Sequence, residues 1–180
     1  WWMLYAYGFE NAAILNGGWQ KWQAEGRAVS TDDCTYSPAT FMPSHQPGRI
    51  IDRDAVLAAL GDDHAVVVNA LTKAQHEGTS KAHYGRPGGI TGSVCLPALD
   101  LVAGDNTFLT SSELEAKFAE TGIGMDQRVL TYCGGGVAAT VDSFALTLLG
   151  HDDVGIYDAS LSEWANDDSL PMTAAGLVKG

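Results

Sequence analysis

Two hydrophobic rhythms alternate along the chain. Residues 65–68, 93–96, 128–132 and 154–157 are short apolar or β-branched runs, the pattern of strands buried in a sheet. Between them the apolar positions change period. Val137, Val141, Phe144, Ala145 and Leu148 recur at helical spacing until Gly150. Asp52 is placed to cap a helix through Leu60 that Gly61 ends. The T-x-x-E of residues 110–113 predicts a capping box and a helix ending at Gly122. A short helix is expected over 160–166. At the start of the chain, residues 1–7 predict a helix stopped by Gly8, residues 12–15 a strand, and residues 18–25 a helix stopped by Gly26. Strands alternating with helices predict an α/β fold with a mainly parallel central sheet flanked by helices on both faces.

The rhythm breaks twice. Residues 27–48 carry Pro38, Pro43 and Pro47 among serines and threonines, which predicts a linker. Residues 78–92 hold five glycines and one proline and predict a loop. The chain also repeats itself. YGFENAAILNGGWQKW, from Tyr7, lies in register with LGHDDVGIYDASLSEW, from Leu149: Gly8 with Gly150, Asn16 with Asp158, Trp22 with Trp164, each pair 142 apart. In that register Trp1 falls opposite Ser143, inside the second copy's helix. The expectation is therefore the C-terminal fragment of a first domain over 1–29, a linker over 30–49 and a complete domain over 50–180.

Composition narrows the chemistry. With 46% apolar and 18% charged residues in 180, the chain can bury a core. Ten basic against twenty-two acidic residues give a net charge of −12, which repels phosphate backbones and anionic lipid, so neither nucleic acid nor a membrane is an expected partner. Cys34, Cys95 and Cys133 are far apart and form no C-x-x-C pair, and the five histidines have no ligand spacing. Neither a disulfide framework nor a metal site is expected, and a reducing, cytoplasmic location fits best.

One cysteine stands apart. Cys133 follows the strand of residues 128–132 and precedes Gly134, Gly135 and Gly136, after which the helical pattern resumes. Ligands of parallel sheets bind outside the carboxyl ends of the strands. A helix N-terminus offers free N–H groups and partial positive charge, and residues without Cβ let the backbone curl round a sulfur. Both favour negative charge at Cys133. The plainer alternative is a small buried hydrophobe beside a tight turn. Cys95, in VCLP, is expected in the core and Cys34 in the linker.

These residues resemble the rhodanese superfamily of thiosulfate and 3-mercaptopyruvate sulfurtransferases. The resemblance rests on Cys133-Gly-Gly-Gly-Val137-Ala138-Ala139, on Gly88-Gly-Ile-Thr-Gly92-Ser-Val and on Tyr157-Asp-Ala-Ser160-Leu-Ser-Glu163-Trp164, with Gly17-Gly18-Trp19-Gln-Lys-Trp22 similar to the end of a first such domain. It implies a persulfide relay: Cys133 takes a sulfane sulfur from a small donor and passes it to a thiol or cyanide-like acceptor, with no cofactor. Gly134, Gly135, Gly136, Val137 and Ala138 would form the cradle. Docking with an N-terminal rhodanese domain is a further implied partnership. Related cysteine phosphatases need C-x5-R, whereas the sixth residue after Cys133 is Ala139, so phosphate chemistry is disfavoured.

The departures are as informative. Thiosulfate-preferring loops resemble C-R-K-G-V-T and mercaptopyruvate loops C-G-S-G-V-T, but Gly135 and Ala138 supply neither base nor hydroxyl. Leu71 and Gln75 stand where the family carries arginines, and Gly88-Gly-Ile-Thr-Gly92 lacks the usual histidine and proline. Lys73, His76 and Arg86, with His83, are the candidates to replace those charges at the substrate; the alternative for each is a solvated surface charge. Ser160 with Glu163 is expected to be a helix-capping pair. A non-catalytic rhodanese-like binding or regulatory module is the rival reading.

Overall fold

The computed structural model describes residues 1–124 and 126–175. Its centre is a five-stranded, all-parallel sheet in the order β1-β6-β5-β2-β4, where β1 is Ile50–Ile51, β2 Ala65–Asn69, β4 Val94–Cys95, β5 Arg128–Tyr132 and β6 Val154–Tyr157. A separate antiparallel pair joins β3 (Gly89–Ile90) to β7 (Met172–Thr173). The β-branched run of β2 and the apolar β5 lie in the interior because parallel strands are covered on both faces; Val68, Val129 and Tyr132 are inaccessible to solvent.

The helices are α1 (Trp2–Ala6), α2 (Gly18–Ala24), α3 (Arg53–Ala59), α4 (Lys73–His76), α5 (Ser111–Glu120), α6 (Ala139–Leu148) and α7 (Ser160–Trp164), with a 3-10 turn at Ala98–Leu101. Two starts follow the sequence closely. Asp52 accepts from Ala55 N at 3.0 Å, and Thr110 with Glu113 forms the full capping box of α5. Thr72 and Gln75 form a second capping box, on α4, inside a stretch whose sequence gave no periodic cue.

Three expectations need correction. Residues 12–15 form no strand. Their counterparts in the repeat show why. Ile156, Tyr157 and Leu161 are buried in the sheet or against it, whereas Ile14, Leu15 and Trp19 are about half exposed. A strand exists only with a neighbour to pair with. The segment 78–92 is not all loop, since it contains β3. Ser160 and Glu163 do not cap α7: its N-cap is Ala159, with no side-chain hydrogen bond. Residues 27–45 carry no regular element. The α1 segment nonetheless docks on the main unit: Trp2 Nε1 donates to Arg49 O at 3.0 Å, and Trp1 meets Phe144 of α6 edge-on. No helix among the described residues is long and apolar enough to cross a membrane.

Candidate active site

β5 lies at the middle of the sheet, hydrogen-bonded to β2 on one side and β6 on the other. Its carboxyl end delivers Cys133, a free thiol only 2% exposed, to the start of the loop that leads into α6. Thr131 anchors this junction. Its hydroxyl donates to Ala139 O at 3.1 Å and meets Ser143 Oγ at 2.7 Å, tying strand and helix together behind the loop.

The loop is held from the other side by the turn between β6 and α7. Ser160 Oγ accepts from Cys133 N at 3.1 Å and from Gly136 N at 3.2 Å, and donates to Tyr157 O at 2.7 Å. Leu161 N donates to Cys133 O at 3.1 Å. Ser162 grips Gly134 O twice, through its N–H at 2.8 Å and its hydroxyl at 2.7 Å. Ser160 is wholly buried and has φ +50°, a conformation uncommon for a residue with a Cβ. The hydroxyl expected to cap its own helix thus spans 27 residues to hold the cysteine loop. Glu163 instead accepts from Tyr157 OH at 2.6 Å.

The three glycines differ. Gly136 has φ +78°, and a Cβ there would stand 2.7 Å from Asp158 Oδ1. A Cβ on Gly134 would collide with Cζ of Tyr84. Gly135 is exposed, and a Cβ there would meet only Ser162 Oγ, at 3.5 Å. The Gly136 N–H is taken by Ser160. The N–H groups of Gly134, Gly135, Val137 and Ala138 have no protein acceptor among the described residues, which leaves them for an anion. Val137 is 80% exposed at the rim.

The expected side-chain cations are elsewhere. The Arg86 guanidinium donates to the carbonyls of Trp164, Ala165, Asp167 and Leu170, which makes it a clamp on the end of α7 in place of a substrate contact. Lys73 is exposed, pairs with Glu77 at 3.9 Å and lines a cavity of about 270 Å³ beside Cys95. His76 is half-buried, 3.2 Å from Asn69 Nδ2 through its Nδ1, and lines another cavity of about 290 Å³ with Ser93 and Thr173; burial lowers its pKa. Among the described residues no hydrogen bond or ion pair joins Lys73, His76, His83 or Arg86 to residues 133–138. At positions 71 and 75, Leu71 is in the core and Gln75 completes the α4 capping box.

Cys95, expected in the core, is only partly buried and lines the cavity beside Lys73; partial burial pushes its thiol up to about 11, and it donates to Leu71 O. Cys34 is exposed in the linker segment. Sequence reasoning missed Ser162 and Tyr84 and misjudged Ser160. An aromatic residue flanked by glycine in an irregular segment was the available signal for Tyr84. Asp142, in the first turn of α6, is fully buried with neither carboxyl oxygen partnered, and burial raises its pKa well above the usual carboxylate range.

Known proteins resemble the chain over nearly its whole length. The chain is 32% identical over 195 residues to thiosulfate/3-mercaptopyruvate sulfurtransferase 1, mitochondrial, of Arabidopsis thaliana, covering 96% of this chain and 52% of that protein. It is 30% identical over 176 residues to 3-mercaptopyruvate sulfurtransferase of Escherichia coli K12, covering 96% and 62%. The chain thus spans about half the length of the curated relatives it matches. Among solved structures, a variant of EanB in complex with ergothioneine superposes with a TM-score of 0.86 at 26% identity, covering 96% of this chain and 43% of that one. The family model for the rhodanese-like domain matches residues 52–167, from the cap of α3 to the turn after α7, and the chain belongs to that family.

Proposed function

We propose that the chain is a sulfurtransferase that carries a sulfane sulfur on Cys133. The supporting observation is a buried cysteine at the carboxyl end of the central parallel strand, in a loop whose free N–H groups face no protein acceptor. In the first half-reaction the Cys133 thiolate attacks the sulfane sulfur of the donor. The S–S bond of the persulfide forms, and the electron pair of the broken bond leaves with the donor remnant, as sulfite from thiosulfate or as the enolate of pyruvate from 3-mercaptopyruvate. In the second, the acceptor's nucleophile attacks the outer sulfur and Cys133 departs as thiolate. Negative charge is carried on sulfur throughout, and backbone N–H groups fixed before the reaction stabilise it without reorganising. The names of the relatives support donors of the thiosulfate or 3-mercaptopyruvate class.

A second reading, a binding or regulatory module, draws on the commitment of Arg86 to carbonyls and the apolar loop side chains. Intact-mass measurement after exposure to each donor separates the two. The expected result is a gain of one sulfur atom, mapped to Cys133 and removed by cyanide. No gain from either donor would leave the binding module.

A further inference from the structure

We propose that Tyr84 is a specificity-determining residue of the Cys133 site: its ring walls the approach to the sulfur and its hydroxyl meets the anionic group of the donor. The proposal rests on the sulfurtransferase reading and adds the feature that selects the substrate. Three observations carry it.

The first is the seat. The hydroxyl-bearing carbon of Tyr84 and its two ring neighbours fill the space that a Cβ on Gly134 would need. The polar end of the ring therefore lies against the residue that follows Cys133. The second is rigidity. Tyr84 O accepts from Asn166 Nδ2 at 2.9 Å, and the same amide donates to Ser162 O at 2.9 Å, while Ser162 holds Gly134. The Tyr84 backbone, the cysteine loop and α7 thus form a closed circuit. Gly85, at φ +148°, has no space for a Cβ beside Ala165 O, and the Arg86 guanidinium clamps four carbonyls just beyond. The tripeptide 84–86 is fastened to the element that shapes the cysteine loop, so the ring is placed in advance. The third is chemistry. Residues 134–138 carry no polar side chain, whereas Tyr84 is 42% exposed and its hydroxyl has no partner among the described residues. It is a free side-chain donor at the rim of a loop whose own donors are all backbone N–H groups. The donor class this fits is a small carboxylate-bearing thiol, slim enough to pass the ring and anionic enough to take the hydrogen bond.

Two variants of the full chain test it. Tyr84→Phe keeps the wall and removes the hydroxyl. Its KM for 3-mercaptopyruvate should rise about tenfold or more, the effect of losing a hydrogen bond to a charged group, with kcat little changed. Tyr84→Ala removes the wall. Alkylation of Cys133 by N-phenylmaleimide, followed by peptide mapping, should speed up severalfold, with a much smaller change for iodoacetamide and none in Tyr84→Phe. Should the alanine variant fail to fold, Tyr84→Leu serves in its place. An unchanged ratio of the two alkylation rates overturns the wall, and an unchanged KM in Tyr84→Phe overturns the hydroxyl contact. A wild type that accepts sulfur from neither donor sinks the sulfurtransferase reading and the hydroxyl contact with it. The wall is then decided by alkylation, which needs no sulfur transfer.

Discussion

Ser160 shows how much of a site can depend on one hydroxyl. It takes two N–H groups of the cysteine loop and gives its proton to Tyr157 O, all in a backbone conformation that costs about 1 kcal/mol or more for a residue with a Cβ. Ser160→Gly relieves the conformation but loses the hydroxyl; Ser160→Ala loses both advantages. Each buried N–H left unpaired costs about 1–3 kcal/mol. The alanine variant should therefore melt below the glycine variant, and both should load at least severalfold less sulfur than wild type. A glycine variant that loads normally would show that the hydroxyl does not hold the loop. Asp142 gives a prediction in pH. Its folded pKa is raised, so the native state keeps a proton that the unfolded state has released. Stability contributed by that proton is complete below the unfolded value of about 3.9 and falls as pH rises from there toward the raised folded value. Urea unfolding of wild type and Asp142→Asn at pH 4.5 and 7 should show the wild type losing ground to the variant with rising pH. A difference that stays flat would mean that the carboxyl ionises as freely in the folded protein as in the unfolded.

Among the elements, α7 and the segment before β3 act as one body because Arg86 joins them. Arg86→Met leaves four carbonyls without their donor, about 2–4 kcal/mol in total, and at this chain length a fall of several degrees in Tm. A thermal scan with an unchanged midpoint would mean that water replaces the guanidinium without loss. How far such features can be read in the sequence depends on their range. β2, β5 and β6 were legible because burial on both faces writes itself into consecutive apolar residues. The α5 capping box was legible because all its partners lie within four positions. β1, β3 and β7 are two residues each and owe their existence to partners far away in sequence. Residues 12–15 have the composition of a strand but no neighbouring strand. Cys133 and its glycines were legible as a site, whereas the S-x-x-E of residues 160–163 has the same spacing as a cap and gives no hint that its hydroxyl reaches upstream. Arg86 was misjudged for a related reason: a positive charge in a glycine-rich segment looks the same in sequence whether it meets an anion or a row of carbonyls.

For the molecule as a whole, charge decides which donors reach the loop easily. The chain carries −12, and thiosulfate is a dianion that would approach a loop with no cationic side chain. Thiosulfate should therefore be a poor donor whose rate rises with ionic strength, as screening weakens the repulsion. Gly135 is the place to change this, because it is exposed and a side chain there has room. Gly135→Lys should raise the rate with thiosulfate, most at low salt, and reverse or flatten the salt dependence. A wild type already fast at low ionic strength would mean that another cation serves the donor.

The central place of β5 also sets a boundary in time. Its amides are bonded to strands on both sides, so they exchange with deuterium only when the whole sheet opens. A few residues further on, the amides of Gly134, Gly135, Val137 and Ala138 have no protein acceptor. Cys133 stands where amides locked into the sheet give way to amides with no protein acceptor. Loading the sulfur should then slow exchange in the loop and leave β5 unchanged, so that isotope uptake over 134–138 reports on the persulfide without any assay of transfer.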